Sequence, residues 1–159
     1  MTAATAVATA EMLIRSPVAD VFQAFVDPSI TTQFWFTRSS GPLVPAGKVT
    51  WEWEMYGLSI PVTVKAIEEN KRILIEWSGG GSTTTVEFRF VPRPDGTFVT
   101  VTNAGFRGDD DELLSQVRNS TEGFTLVLAG LKALLEHNVR LNLVRDRHPD
   151  GLEHAKETR

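Results

Sequence analysis

Residues 16–36 read SPVADVFQAFVDPSITTQFWF, a helix signature that runs into a cluster of aromatics. Ser16 suits a helix N-cap and Pro17 its first turn, where a missing N–H costs nothing. Val18, Val21, Phe22 and Phe25 fall at i, i+3, i+4 and i+7, so the helix carries one apolar face. Pro28 biases Asp27 away from the helical region, which ends the helix there or restarts it as a second short one. The stretch closes on Phe34-Trp35-Phe36.

On its N-terminal side, Met12–Arg15 reads as a short first strand. On its C-terminal side, Thr37–Gly47 is rich in Ser, Gly and Pro and reads as a loop. Strand-like runs follow. In Lys48–Met55, Val49, Trp51, Trp53 and Met55 alternate with polar residues, the period-2 pattern of a half-buried strand. Ser59–Glu68 is rich in β-branched residues and follows a Tyr56-Gly57 turn. Arg72–Trp77 puts Ile73, Ile75 and Trp77 on one side, and Thr83–Val91 puts Val86, Phe88 and Phe90 inward. An Arg93-Pro94-Asp95-Gly96 turn leads into Thr97–Asn103, with Val99 and Val101 facing in. Turns this short imply an antiparallel meander.

The period then changes. Asp109 with Glu112 has the spacing of a capping box, and the acidic first turn complements the helix dipole. Val117, Thr121, Phe124, Leu128, Leu131 and Leu135 repeat at three- and four-residue steps, giving a long amphipathic helix with weak propensity around Asn119–Gly123, where a kink is expected. Asn138 suits the left-handed C-cap. Beyond it, Val139, Leu141 and Leu143 alternate as an extended segment would. The implied organisation is a tail over 1–10, one domain over 11–148 and a polar tail over 149–159. Strand, two short helices, a run of strands and one long helix make an α+β fold.

Composition narrows the function classes. At 159 residues the chain is long enough for one domain with a real core. Net charge is −4 and the basic residues are dispersed, which argues against a nucleic-acid partner. No apolar run approaches membrane-spanning length, so a soluble, cytoplasmic protein is expected. The absence of cysteine excludes disulfides, thiolate nucleophiles and Cys-based metal sites.

Taken together, Ser-Pro…Val-Phe-x-Ala-Phe…Asp-Pro…Trp-Phe over residues 16–36 resembles the opening of the START-like (SRPBCC) superfamily. The pattern is most similar to the branch related to the C-terminal domain of the activator of Hsp90 ATPase homologue 1. Leu74-Ile75-Glu76-Trp77, Asn103-Ala104-Gly105-Phe106, and Gly123-Phe124 with Leu131-Lys132 and Leu134-Leu135-Glu136 extend the resemblance over roughly Glu11–Asp150. It implies a helix-grip fold, in which a curved antiparallel sheet wraps a long C-terminal helix and leaves space for an apolar ligand, with no metal or redox cofactor.

Several motifs offer chemistry of their own. His137, His148 and His154 all lie at or beyond the end of the long helix and read as solvated, so the body lacks a histidine base or zinc triad. Glu52 and Glu54 share one strand face, opposite Trp51 and Trp53, and are expected in water beside Lys65 and Arg89. Gly79-Gly80-Gly81-Ser82 lacks the lysine of a phosphate loop and reads as a hairpin loop. Asp109-Asp110-Asp111-Glu112 lacks the spacing of a calcium loop and reads as a helix start.

The aromatics are the remaining candidates. Trp51, Trp53, Trp77, Phe88 and Phe90 project to one side of the sheet, and Trp35, Phe36, Phe106 and Phe124 border it. They form either a plain core or, as the resemblance implies, the lining of a ligand cavity. Asn103 falls on the same face, where a buried amide either bonds backbone or faces a ligand. The leading reading is a module that binds a small hydrophobic molecule and has no cofactor. The alternatives are a cofactor-free cyclase or hydratase, and a protein-interaction domain like the Hsp90 activator. A chaperone partner is disfavoured because only a short tail precedes the first strand, and a homodimer stays open.

Overall fold

Period-2 alternation places the apolar residues of six strands on one face of a single seven-stranded antiparallel sheet. The computed structural model describes residues 2, 5–78 and 82–152. Its elements are β1 (Ala8–Ile14), α1 (Val18–Val26), α2 (Pro28–Thr31), β2 (Arg38–Ser39), β3 (Lys48–Trp53), β4 (Leu58–Glu68), β5 (Arg72–Trp77), β6 (Thr84–Arg93), β7 (Gly96–Ala104), α3 (Asp110–His137) and α4 (Leu143–Arg147). The strand order is β1-β7-β6-β5-β4-β3-β2. The first strand therefore closes the meander against the last, a long-range pairing that short turns alone do not announce.

Register makes the inner face. Val64, Ile75, Val86, Asn103 and Ala8 form one row across five strands, and Val62, Trp77 and Thr84 form the next. A bulge at Lys65 inserts one extra residue in β4. It shifts the alternation so that Ile67 rejoins the inner face opposite Ile73, and such bulges bend a strand. On the outer face, Glu87 bridges Arg72 and Arg89, each at 2.7 Å. Gly96 closes the β6–β7 turn at φ 144°, and a Cβ there would meet the Ile14 carbonyl at 2.2 Å. Only glycine fits.

The helices cover that inner face. From α1, Val21, Phe22, Ala24 and Phe25 are buried. Asp27 is extended and caps α2 by accepting the Ser29 N–H at 2.9 Å, with Pro28 at its start. The long helix α3 begins with the expected capping box at Asp109 and Glu112 and ends on Asn138 at φ 53°. Phe124, Val127, Leu128, Leu131 and Leu134 carry its buried stripe into the main core. This is the helix-grip arrangement of the α+β class.

Several local expectations are corrected. Pro17, not Ser16, is the N-cap of α1, and no side chain caps it. The first strand starts at Ala8, so a tail boundary at residue 10 falls inside β1, where Ala8 and Ala10 are buried. A small alanine suits position 8 because it packs with Phe106 and Leu113, while Ala10 belongs to the main core. The 37–47 loop contains the short strand β2. β3 ends at Trp53, and Glu54–Tyr56 forms a 3-10 turn closed by Gly57 in the left-handed region. Glu54 is therefore not a strand partner of Glu52, which pairs with Arg38 at 3.4 Å rather than with Lys65 or Arg89. α3 stays helical through Asn119–Gly123 despite the weak propensity there. The expected extended segment at 139–143 is absent, for Val139 and Leu141 are exposed and the chain turns into α4. Gly79–Gly81, His154 and the ends of both tails lie outside the described residues.

Candidate functional site

Sheet and helix do not close on each other completely. A cavity of about 680 Å³ remains between β3–β7 and α3, with α4 and the residues after it along one side. Trp53, Leu58, Ile60 and Trp77 form its sheet wall, Trp35 from the segment after α2 joins them, and Phe124, Leu126 and Val127 of α3 face them. Trp35 organises the aromatic end. Its ring meets Trp51 at 4.9 Å, Phe124 at 5.7 Å and Trp77 at 6.0 Å between centroids. Trp77 and Phe124 stack at 5.8 Å across the gap from β5 to α3.

Of the aromatics singled out in the sequence, Trp35, Trp53, Trp77, Phe106 and Phe124 line this cavity, as does Asn103. Phe36, Trp51, Phe88 and Phe90 do not. Trp51 is 1% exposed and stacks on Phe36 at 4.4 Å, while Phe88 and Phe90 pack against Phe25. The reason is position along the sheet. Phe88 and Phe90 sit beneath α1, and Trp51 sits behind the Phe34–Phe36 segment.

The opposite end of the cavity is polar and bonded into a network. Asn103, 3% exposed, donates Nδ2 to the Thr85 carbonyl at 2.8 Å and to Thr84 Oγ1 at 3.0 Å, while its Oδ1 accepts the Ser120 hydroxyl at 2.8 Å. Trp77 Nε1 also donates to Thr84 Oγ1, at 3.0 Å. Asn103 thus bonds backbone and neighbouring side chains, and both its amide protons are taken. Thr84 and Ser120 were not singled out in the sequence. The signals were there: Thr84 stands directly opposite Trp77 across the hairpin, and Ser120 lies one helical turn before Phe124.

A short C-terminal segment borders the mouth. Tyr56 donates its hydroxyl to the Val144 carbonyl, and Arg147 pairs with Glu122 of α3. Burial first, and then the Asp146 carboxylate, raises the Tyr56 hydroxyl above its ordinary pKa, so it stays a donor at neutral pH. His148 lies against the Tyr56 ring at 6.1 Å and lines the cavity, so it is not the solvated tail residue its position suggested. His137, by contrast, is exposed at the end of α3. Among the described residues no three His, Asp or Glu side chains gather as a metal site would require. Among the same residues no helix is long and apolar enough to cross a membrane.

Comparisons with known proteins agree with this fold. The sequence profile of the family described as "Activator of Hsp90 ATPase homolog 1-like protein" matches residues 15–136. A crystal structure of the protein SSP2350 from Staphylococcus saprophyticus is 30% identical, with a TM-score of 0.73 over 85% of this chain and 95% of that one. The solution structure of the Aha1 dimer from Colwellia psychrerythraea is 18% identical, with a TM-score of 0.71 over 82% of this chain and 96% of that one. DynU16, a protein in the dynemicin biosynthetic locus, is also 18% identical, with a TM-score of 0.71 over 84% of this chain. The match spans 48% of DynU16, about half its length. At that identity the last two likenesses speak to fold alone. No curated protein matches the chain.

Proposed function

The chain belongs to the family of activator of Hsp90 ATPase homolog 1-like proteins, within the START-like superfamily, and from that premise we propose that it binds a small apolar molecule between the sheet and α3. The observation that carries this is the cavity of about 680 Å³ walled by Trp35, Trp53, Trp77 and Phe124. Its volume falls within the roughly 300–1,000 Å³ of small-molecule sites, which are mostly apolar with a few placed polar groups. Aromatic walls contribute large contact area to a flat apolar guest. A cytoplasmic setting is part of the proposal, supported by a chain that has no cysteine to form a disulfide.

An enzymatic role would need an acid–base couple at the reacting atoms. The ionisable residues along the wall are Tyr56, Glu122, Arg147 and His148, all at the α4 side, where Tyr56 gives its proton to the Val144 carbonyl and Glu122 is paired with Arg147. Binding is therefore the reading the site supports best. Native mass spectrometry of freshly purified protein tests it. The expected result is a bound small molecule, or adduct formation and tryptophan quenching when naphthalene is added. Protein mass alone, with no quenching by naphthalene up to its solubility, would overturn the proposal.

A further inference from the structure

We propose that the bound molecule is neutral and presents an oxygen acceptor to the hydroxyl proton of Thr84; this rests on the ligand-binding reading above. The argument is one of hydrogen-bond valence. The indole N–H of Trp77 can only donate, and it donates to Thr84 Oγ1. The Thr85 carbonyl can only accept, so the Asn103 atom beside it is the amide nitrogen, whose second proton also goes to Thr84 Oγ1. Both lone pairs of the Thr84 oxygen are then occupied, and its own proton is left to donate. Among the described residues no acceptor meets that proton, and Thr84, 7% exposed, faces the cavity.

The same reasoning fixes Ser120. Asn103 Oδ1 must accept, so Ser120 Oγ donates to it and keeps its lone pairs. The polar end of the cavity therefore offers one donor, from Thr84, and one acceptor, at Ser120. A ketone or ester oxygen satisfies the first, and a hydroxyl group satisfies both. Among the described residues this polar end has no charged side chain, since the ionisable wall residues lie at the α4 side. A carboxylate or ammonium seated there would lose its hydration without gaining a counter-charge. The ligand class is an aromatic or polycyclic body with a neutral oxygen at one end.

The test uses a shape-matched pair, 2-ethylnaphthalene and 2-acetylnaphthalene, titrated into wild type, Thr84→Val and Thr84→Ser. The ratio of ketone to hydrocarbon affinity should fall about tenfold in Thr84→Val, the loss of one good hydrogen bond, and be kept in Thr84→Ser. Infrared spectra of the bound ketone should show its carbonyl stretch below the position it takes in hexane. An unshifted stretch in the wild type would overturn the inference even if Thr84→Val fails to fold, as would an affinity ratio that ignores Thr84. Binding of 2-naphthoate as tight as that of the ketone would overturn the neutral-ligand part. If neither naphthalene derivative binds, the ligand-binding reading itself fails and takes this one with it; if the hydrocarbon binds and the ketone is indifferent to Thr84, only the polar anchor fails.

Discussion

Glu136, in the last turn of α3, accepts the backbone N–H of Arg15 at 2.9 Å across 121 positions of sequence. The same oxygen accepts Lys132 Nζ at 2.7 Å, and that ammonium also donates to the Leu13 carbonyl at 2.8 Å. One carboxylate thus ties the end of the helix to the exit of β1. Burial alone would raise the Glu136 pKa, but the Arg15 N–H and then Lys132 outweigh it and hold the carboxyl below its ordinary range. A depressed carboxylate contributes stability that is present above its unfolded pKa of about 4.3 and lost as pH falls through the folded value. Denaturant melts from about pH 6 down to about pH 3 should show this loss, and Glu136→Gln should flatten it. At neutral pH that variant should cost about 1–2 kcal/mol, discounted because the Lys132 side chain is 35% exposed. An acid limb identical to that of the wild type would refute the role.

Leu131 is 0% exposed in the middle of the α3 stripe, among the side chains that join helix to sheet. Leu131→Ala should cost about 2–5 kcal/mol, the transfer term plus the cavity left behind. Leu114 on the same helix is 43% exposed, and its alanine variant should lie within about 0.5 kcal/mol of wild type. Paired urea melts measure both, and equal costs would mean that the helix grips through another face.

The strands of the meander and the body of α3 were legible because each has a strong period and chemical punctuation. Pro28 set the α1–α2 boundary, Asp109 and Glu112 set the start of α3, and Asn138 set its end. What escaped depends on partners distant in sequence. Ala8 and Ala10 carry no strand signal of their own and become a strand only by pairing with Asn103 and Val101. Lys65 gives no local sign of a bulge, although the bulge redirects Ile67. Period 2 announced the inner face of the sheet but not which stretch of it α1 or α3 covers. That distinction separates Phe88 and Phe90 in the core from Trp53 and Trp77 at the cavity. Alternation in Val139, Leu141 and Leu143 misled because, among the described residues, no strand pairs with that segment.

No divalent metal should be needed for stability. The acidic run at 109–112 is accounted for by the helix start, where the Glu112 N–H, then the Glu112 side chain and the Asp111 N–H, hold the Asp109 carboxyl below its ordinary pKa. Glu52 is engaged by Arg38. Dialysis against a chelator should leave the melting temperature where it was, as judged by circular dichroism with and without added calcium or zinc. A drop of many degrees would point to a metal-coupled fold of the kind seen in small metallo-domains.

Trp53 and Trp51 separate the cavity from the core. Both project from β3 to the inner face, but Trp53 lines the cavity while Trp51 is covered by Phe36. Naphthalene in the cavity should quench the fluorescence of Trp35, Trp53 and Trp77 together, since Trp35 lies 6.4 Å and 6.0 Å from the other two rings. At about a hundred times its dissociation constant it should stabilise the fold by about 2.7 kcal/mol through mass action. Trp53→Ala should weaken that binding more than Glu54→Ala, because Glu54 is exposed on the 3-10 turn. Trp51→Phe should lower the melting temperature, as a large core substitution does, and leave the naphthalene dissociation constant as it was. If Trp51→Phe instead disrupts binding while Trp53→Ala does not, the guest sits deeper than the cavity between β3–β7 and α3, and the aromatic core itself must open to admit it.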